Sequence, residues 1–377
     1  WFSNAFNNGP LSGLFYIYWG SSYFNFWANI SSVIASFFPL EFAPLLTVYM
    51  SLIVKLYLFI YIFYSNSKFL ENNFDKSIIS LVLLLSPMMT STIWLNTLVS
   101  QIYFTIIVIL IFFKKENSKL IIDKFSNIII FIAGITSILP CLFTPFFLFK
   151  YLKEKTNYNL WRFISSLIPF IFQLSIFIYS SISNLTDENR FFLSIEKFAN
   201  FLYNVPVKSI LGTDLTKIIF YNFLNSNFIL AISITLITLA VLIYFIWKYL
   251  KKHNRDEILL YLSIFFVFQS ILAIYSSKYD QVQARYAVIP SVLFVLLIYR
   301  LFQINRNFLK ILFLFFIIFS ISLGFYEYKI NNKYPHFLSC LEGCPNWSDE
   351  VEKWRADPNY NLKIWDYPRK SMTLLKN

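Results

Sequence analysis

The sequence predicts an all-α integral membrane protein: a polytopic helical bundle of about 9–10 spans with a short outward C-terminal tail. Three observations carry this. Of 377 residues, 57% are hydrophobic and only 14% are charged, where soluble domains carry roughly 25% charged residues. Long apolar runs recur along the chain, and the mean hydropathy is +0.58. Basic residues gather in short loops between those runs, as they do in membrane proteins. The formal charge of +12 would suggest nucleic acid in a soluble chain. Here it is spread over loops, with no basic tail and no nucleic-acid module, so no nucleic-acid partner is expected. The chain holds 45 Phe and 25 Tyr. They accompany many Ile, Asn and Lys, residue types that also rise with A- and T-rich coding, so aromatic richness alone says nothing about sugar or base stacking.

Three segments follow: an outer loop with an interfacial helix over 1–40, a transmembrane domain over 41–326 and an outward-facing polar tail over 327–377. The chain opens on "WFSNAFNNGP", with neither an initiator Met nor a signal peptide, and a span preceding residue 1 is expected. The stretch "SSYFNFWANISSVIASFF" mixes polar and aromatic residues, with Trp19, Tyr23 and Trp27 near one edge. Interfacial helices read this way. Spans need roughly 20 apolar residues. They are placed near 42–64, 78–93, 98–113, 161–181, 227–247, 258–275, 286–302 and 309–326. The segment 126–152 holds Pro140 and Pro145, and proline breaks a helix by clash and by a lost donor. It is either one kinked span or two short helices meeting at Pro140.

Lys and Arg set the orientation. The loops "FKYLKEKTNYNLWR", "KYLKKHNRDE" and "YRLFQINRNFLK" fall on one side, which is taken as cytoplasmic. The basic loop 114–124 joins them if 126–152 runs out and back as two short helices, the preferred reading. Residues 1–38, the 182–226 loop, the 276–285 loop and the tail then face outward.

The tail is polar, Pro-punctuated and Trp-rich. "SDEVEKWRADP" suggests a short helix with Ser348 as N-cap, and "NLKIWDYP" a short strand. Some fifty residues are too few for a robust independent core, so the tail is expected to pack on the membrane domain. Cys340 and Cys344 stand in C-x3-C spacing, and an outward compartment permits a disulfide between them. His336 raises the possible ligands only to three, short of the four of a closed metal site; free thiols remain the other alternative. Cys141 is read as packing.

Much chemistry is absent. No phosphate-cradling glycine loop occurs, and seven glycines leave little room for one. His253 and His336 are the sole histidines and fall on opposite sides, which disfavours a catalytic triad and a multi-histidine metal site. Lys55 is an ionisable residue inside a span, read as facing the bundle interior. On the outward side, Glu41, Asn96 and Gln101 are candidate pocket-lining residues. In "SSKYDQVQARYAVIP", Arg285 and Tyr286 open a helix beside Lys278 and Asp280. A helix N-terminus attracts anions and Arg adds a bidentate fork. These four residues are a candidate lipid-phosphate site, with a plain interfacial anchor as the alternative.

Four stretches in order, "ASFFPLEFAPLL", "WLNTLVSQIYFTIIVIL", "AGITSILPCLFTPFFLFKYL" and "ARYAVIPSVLFVLL", resemble the bacterial polytopic proteins of the GT-C glycosyltransferase superfamily, as does the tail "WSDEVEKWRADPNYNLKIWDYP". The resemblance implies a multi-pass protein of the bacterial inner membrane with its tail outward. It implies transfer of a sugar from a polyprenyl-phosphate carrier to an acceptor on the outer face. The partners are then the bilayer and the lipid-linked sugar. Such enzymes carry an acidic catalytic residue in the first outer loop, which would also hold any divalent cation. Residues 1–40 contain no Asp or Glu, so no catalytic residue carries over. A transporter or flippase of lipid-linked glycans and a non-catalytic protein retaining the fold are the alternatives.

The orientation is open to a direct test. In a background without native cysteines, Asn204→Cys is expected to react with an impermeant thiol reagent in intact cells and Asn254→Cys is not. Equal labelling of both sites overturns the topology.

Overall fold

The computed structural model describes residues 1–87, 96–115, 125–183, 185, 192–216, 218, 256–277, 282, 284–305, 308–329, 345–357, 359–364 and 371–375, with single helical residues between 236 and 251. In chain order the first elements are α1 (Phe2–Asn8), α2 (Pro10–Leu14), the hairpin β1 (Ile17–Tyr18) and β2 (Tyr23–Phe24), α3 (Phe26–Ser36) and α4 (Ala43–Tyr64). Next come α5 (Asn73–Leu85), α6 (Ser100–Phe112), α7 (Ser126–Thr136), α8 (Ile138–Cys141), α9 (Thr144–Glu154) and α10 (Asn157–Ile182). Then follow α11 (Ile195–Leu202), a π-turn (Tyr203–Val207), α12 (Glu257–Ser276), α13 (Ala284–Ile304) and α14 (Phe308–Lys329). The tail holds α15 (Trp347–Ala356), β3 (Leu362–Lys363) and β4 (Ser371–Met372).

Among the described residues, five helices are long and apolar enough to cross a membrane: Leu40–Tyr64, Asn157–Ile182, Glu257–Ser276, Tyr286–Ile304 and Leu309–Glu327. They match five of the expected spans. Two others are shorter than expected, since α5 and α6 have 13 residues each, or about 20 Å of rise. The apolar run 78–93 continues past Leu85, but Ser86 precedes Pro87 and is extended (φ −56°, ψ 137°). A residue before proline is pushed out of the helical region, so α5 stops there. Residues 227–247 lie almost wholly outside the described residues. The helix expected near the interface, α3, has 11 residues, too few to cross. Its Asn29, Ser31 and Ser32 are buried, so it packs inside the fold with its polar groups covered.

The chain divides into two compact units, one of 1–67, 95–187 and 335–377, the other of 68–94 and 188–334. In the first unit α4 and α6 run side by side in the same direction. Ser100 Oγ, at the start of α6, donates to Ser51 Oγ, two turns into α4, at 3.2 Å, and Ser67 and Lys114 form a bridge beyond their ends. The segment 126–154 is broken into α7, α8 and α9. Ser126 accepts from Lys114 Nζ at 3.4 Å, and that Nζ lies 4.7 Å from the Tyr158 ring. The start of α7 is therefore at the Tyr158 end of α10. Further along, a Cβ on Gly134 would stand 2.6 Å from Pro169 Cβ, so only glycine allows this close approach. The chain then turns back: Thr144 Oγ1 donates to Ser166 O at 3.2 Å, and Glu154 accepts from Asn159 Nδ2 at 2.6 Å. Helix, break and helix form a re-entrant hairpin whose two ends meet at one end of α10. This is the geometry of the out-and-back reading, and it places Lys114, Lys150 and Arg162 at the same end.

The tail shares a core with the N-terminal segment. Val351, Trp354, Leu362 and Leu374 bury against Ala35, Leu40 and Ala43. Trp347 Nε1 donates to Leu40 O at 2.8 Å and Trp354 Nε1 to Leu374 O at 3.0 Å. Phe6 meets Trp354 edge-on at 5.9 Å, and Asn7 Oδ1 accepts from Leu375 N at 2.9 Å. The cap of α15 is Asn346, whose Oδ1 accepts from Ser348 N at 3.2 Å; the expected cap, Ser348, lies inside the helix. The expected strand forms as β3, paired antiparallel with β4. Cys340, Cys344 and His336, and with them the disulfide reading, lie outside the described residues.

The second unit is built on α12, α13, α14 and α5. Arg300 grips Asp256 with Nη2 at 2.6 Å and Nε at 3.1 Å, and Tyr299 donates its hydroxyl to Asp75. Toward the other end of α14, Glu327 accepts from Thr213 N and from Thr213 Oγ1 at 3.2 Å. Gly212 makes this approach possible with a left-handed φ of 69°.

Glu350 ties the helix of the tail to the segment that follows it. Burial alone would raise its carboxyl, but hydrogen bonds from Lys353 Nζ (2.8 Å), Lys363 N (2.9 Å) and the Tyr360 hydroxyl (2.7 Å) outweigh burial and hold it below the ordinary value. A carboxylate depressed in the folded state stabilises fully above its unfolded pKa, and that contribution is lost as pH falls through the folded value. The tail's own fold should therefore loosen below about pH 4.5, the ordinary value for such a group. Limited proteolysis of 345–375 against pH measures it. Glu350→Gln is expected to flatten the acid limb of that profile.

Candidate functional site

A cleft in the first unit is built on the run Phe15–Gly20. Two-residue strands β1 and β2 pair Ile17 with Phe24 and Tyr18 with Tyr23. A tight turn at Trp19–Ser21 joins them, and Ser22 adopts a left-handed φ of 57°. So short a hairpin is not stable alone; its neighbours hold it. Asn29 Nδ2 donates to Leu14 O and to Tyr16 O, both at 2.9 Å. Ser180 Oγ donates to Trp19 O at 3.1 Å and lies 3.0 Å from Ser22 Oγ. Trp19 packs on Tyr179 with ring centroids 5.3 Å apart. Gln173 pairs with Phe24 as a strand would: Phe24 N donates to Oε1 at 3.1 Å, and Nε2 donates to Phe24 O at 2.9 Å.

The same Gln173 Nε2 lies 3.2 Å from both Gly134 O and Ile135 O. These are carbonyls at the end of α7, which lose their helical partners where the chain breaks. Ser137 N answers Ala133 O, and the Cys141 thiol also donates to Gly134 O at 3.2 Å. Cys141 thus closes the helix end as well as packing. Ser137 Oγ caps α8 by accepting from Leu139 N at 3.2 Å.

Between the hairpin, α1 and α2 lies a cleft of about 580 Å³, lined by Asn4, Ser12 and the run Phe15–Gly20. Trp1 stacks obliquely on Tyr18 at 5.4 Å and meets Tyr16 edge-on at 6.2 Å. Phe15 is 69% exposed and Tyr18 46%. Asn4 Nδ2 reaches Ser12 O at 3.1 Å. The lining offers aromatic faces, an amide and hydroxyls, and holds no Asp, Glu, Lys, Arg or His. It is suited to bind a neutral polar ring, by stacking and hydrogen bonds, and supplies no carboxylate for proton transfer.

Of the residues singled out from sequence, Tyr286 lies half-buried in the first turn of α13, and Arg285 belongs to that helix. Lys278, Asp280 and the Arg285 side chain lie outside the described residues. Glu41 forms an ion pair with Arg355 at 2.6 Å. Asn96 is exposed and its Oδ1 accepts from Leu98 N at 2.9 Å. Gln101 is half-buried in α6. None of these three lines the aromatic cleft. Lys55 is buried, 5.8 Å from the Tyr103 ring, as a lysine facing the bundle interior is. Among the described residues no group of three or more His, Cys, Asp or Glu stands close enough to hold a metal ion.

The sequence reading missed Gln173, although an amide alone within "PFIFQLSIF" carries the signal that polar groups inside a span have partners. No protein-family model, curated protein or solved structure matches the chain.

Gln173→Leu leaves Phe24 N and two helix-end carbonyls without this partner, a loss of about 1–3 kcal/mol. Hydrogen exchange should quicken over 17–24 and 134–141 and stay unchanged over 347–375. Unchanged exchange in the hairpin would show that Gln173 does not hold it.

Proposed function

We propose that the protein is a GT-C-like membrane glycosyltransferase that moves a sugar from a polyprenyl-phosphate carrier to an acceptor on the outer face. The observation that supports this best is the aromatic cleft at Asn4, Ser12 and Phe15–Gly20. Its ring faces suit the C–H face of a pyranose, and its amide and hydroxyls suit the sugar's own hydroxyls. Position supports the same reading. In the first unit, Lys114, Lys150 and Arg162 gather at the end of α10 remote from the hairpin held by Ser180. By the positive-inside rule the cationic end faces the cytoplasm, so the cleft and the tail docked beside α1 face outward. The membrane is then the bacterial inner membrane, as the resemblance implies.

The transfer needs a carboxylate to activate the acceptor hydroxyl. The cleft supplies none, so it is a substrate platform and the catalytic residue stays unassigned. A divalent cation would be held by that unassigned acid. One observation favours the second reading, a flippase of lipid-linked glycans. The re-entrant hairpin, broken at Ser137 and at Leu142–Phe143 and not at Pro140 as the sequence suggests, resembles the interrupted helices of transporters.

Proteoliposomes loaded with a labelled polyprenyl-phosphate sugar separate the readings. The enzyme forms a new glycosidic bond with the acceptor, whereas a flippase moves the lipid across the bilayer with the bond intact. Neither outcome would leave a non-catalytic protein. Phe15→Ala and Tyr18→Ala are expected to weaken sugar binding by about 3- to 10-fold each, the loss of one aromatic contact, without unfolding the protein. Undiminished binding in both would remove the cleft from the proposal.

A further inference from the structure

The second unit carries a charged pocket that the proposed reaction does not use. It is about 360 Å³ in volume and lies where α13 ends, α14 begins and α5 starts. Lys68, Arg300 and Lys310 line it together with Phe74, Phe302 and Gln303; Glu71, Asn72 and Asp75 complete the wall near Phe69. Arg300 and the Arg285 site expected from sequence lie on the same helix, 284–304, about 22 Å apart by helical rise. The two are distinct.

The charges are not symmetrically committed. Asp75 is buried and accepts the Tyr299 hydroxyl. Asp256, behind the pocket, takes Arg300 through two nitrogens. Gln303 fixes the fork from the other side, accepting from Nη1 at 2.9 Å while its own Nε2 donates to Phe69 O at 3.3 Å. Arg300 is thus held rigidly with N–H donors to spare. Lys310 lies 5.2 Å from the Phe302 ring. Neither Lys68 nor Lys310 forms an ion pair with a carboxylate among the described residues. Both are exposed, so their ammonium groups are available to a ligand.

Depth narrows the ligand. Two span-length helices end at Ile304 and begin at Leu309, which is where a bilayer changes from hydrocarbon to headgroup. Phe74 is 54% exposed and Ile311 68%, an apolar flank beside the polar pocket. Two free ammonium groups, a fixed guanidinium and an adjoining apolar surface suit a phosphate ester carried on an acyl chain.

We propose that this pocket binds a phosphate ester, with Lys68 and Lys310 as its movable contacts and Arg300 as its fixed one. The phosphate comes from a lipid headgroup or from a soluble phosphoester, which share this chemistry. The inference does not depend on the glycosyltransferase reading.

The test uses the purified full chain, delipidated in a neutral detergent, with thermal unfolding as readout. Phosphatidylglycerol, a diacylglycerol with the same chains and no phosphate, and inorganic phosphate are each titrated. Wild type is expected to gain stability with phosphatidylglycerol and not with diacylglycerol. Lys68→Gln/Lys310→Gln is expected to unfold at the same temperature without lipid, since both side chains are exposed. It should require about tenfold or more lipid for the same gain. A shift from inorganic phosphate with the same sensitivity to the double substitution would support the site and assign it to a soluble phosphoester. The proposal is overturned if neither phosphate source shifts unfolding. It is also overturned if diacylglycerol matches phosphatidylglycerol, or if the double variant responds as wild type does.

Discussion

A helix that breaks inside a membrane protein leaves carbonyl groups with neither helical partners nor water to turn to. In this chain the break after Thr136 meets one side chain from the neighbouring span, Gln173, whose amide reaches Gly134 O and Ile135 O. The same amide completes the backbone pairing of Phe24. One residue therefore closes a helix end and fixes the hairpin whose aromatic residues line the cleft. The arrangement also explains Gly134. The amide can reach the α7 carbonyls only if α7 and α10 come close, and any Cβ at 134 would strike Pro169. Break, glycine, proline and glutamine form a set in which each makes the next tolerable.

The cationic end of the first unit follows the same rule with charge in place of amide. Lys114 and Arg162 flank the ring of Tyr158, at 4.7 and 4.1 Å, and Lys150 Nζ donates to Phe112 O at 3.0 Å. Phe112 is near the end of α6, where carbonyls lose their helical donors. A lysine there satisfies an orphan acceptor and lies favourably with the negative end of the helix. Buried cations in this unit thus serve helix ends and aromatic faces. The sequence reading used the same residues as orientation markers, and the two roles are compatible, because a helix C-terminus wants positive charge whichever side it faces.

The long spans were legible because an apolar run of span length has one cheap solution, a helix. The sequence reading puts the start of α10 at 161, four residues late; Thr156, whose Oγ1 accepts from Asn159 N there, is a cap that hydropathy does not register. The early end of α5 was available in principle from Ser86 and Pro87, but hydropathy alone ran across it. The out-and-back course of 126–152 was chosen from loop charge, and the contacts of Ser126 and Glu154 at one end of α10 give it a geometric basis. The cleft was not legible. Phe15, Tyr16, Tyr18 and Trp19 belong to a chain with 21% aromatic residues, so nothing in their number sets them apart. What distinguishes them is convergence, created by Asn29, Ser180 and Gln173 from other parts of the chain. The Cap at Asn346 in place of Ser348 shows the same limit at smaller scale. Both residues are good caps, and where the chain turns decides between them.

The tail bears on what the cleft can do. Its core is made with Phe2, Phe6, Ala35 and Leu40, so it braces α1 and α3, two of the elements around the cleft, without placing a side chain among the lining residues. Glu41 and Arg355 tie the brace to the start of α4 at 2.6 Å, and part-exposed pairs of this kind contribute little energy by themselves. The docking rests instead on the shared apolar core and on Trp347 Nε1, which donates to Leu40 O, while Trp354 and Glu350 hold the tail's own fold. A platform braced in this way, rich in ring faces and without a carboxylate, can set affinity and orientation for a neutral ligand. It cannot by itself move the proton that glycosyl transfer requires. Under the proposed function, binding and proton transfer then fall to different residues, because the cleft's lining holds no Asp, Glu, Lys, Arg or His.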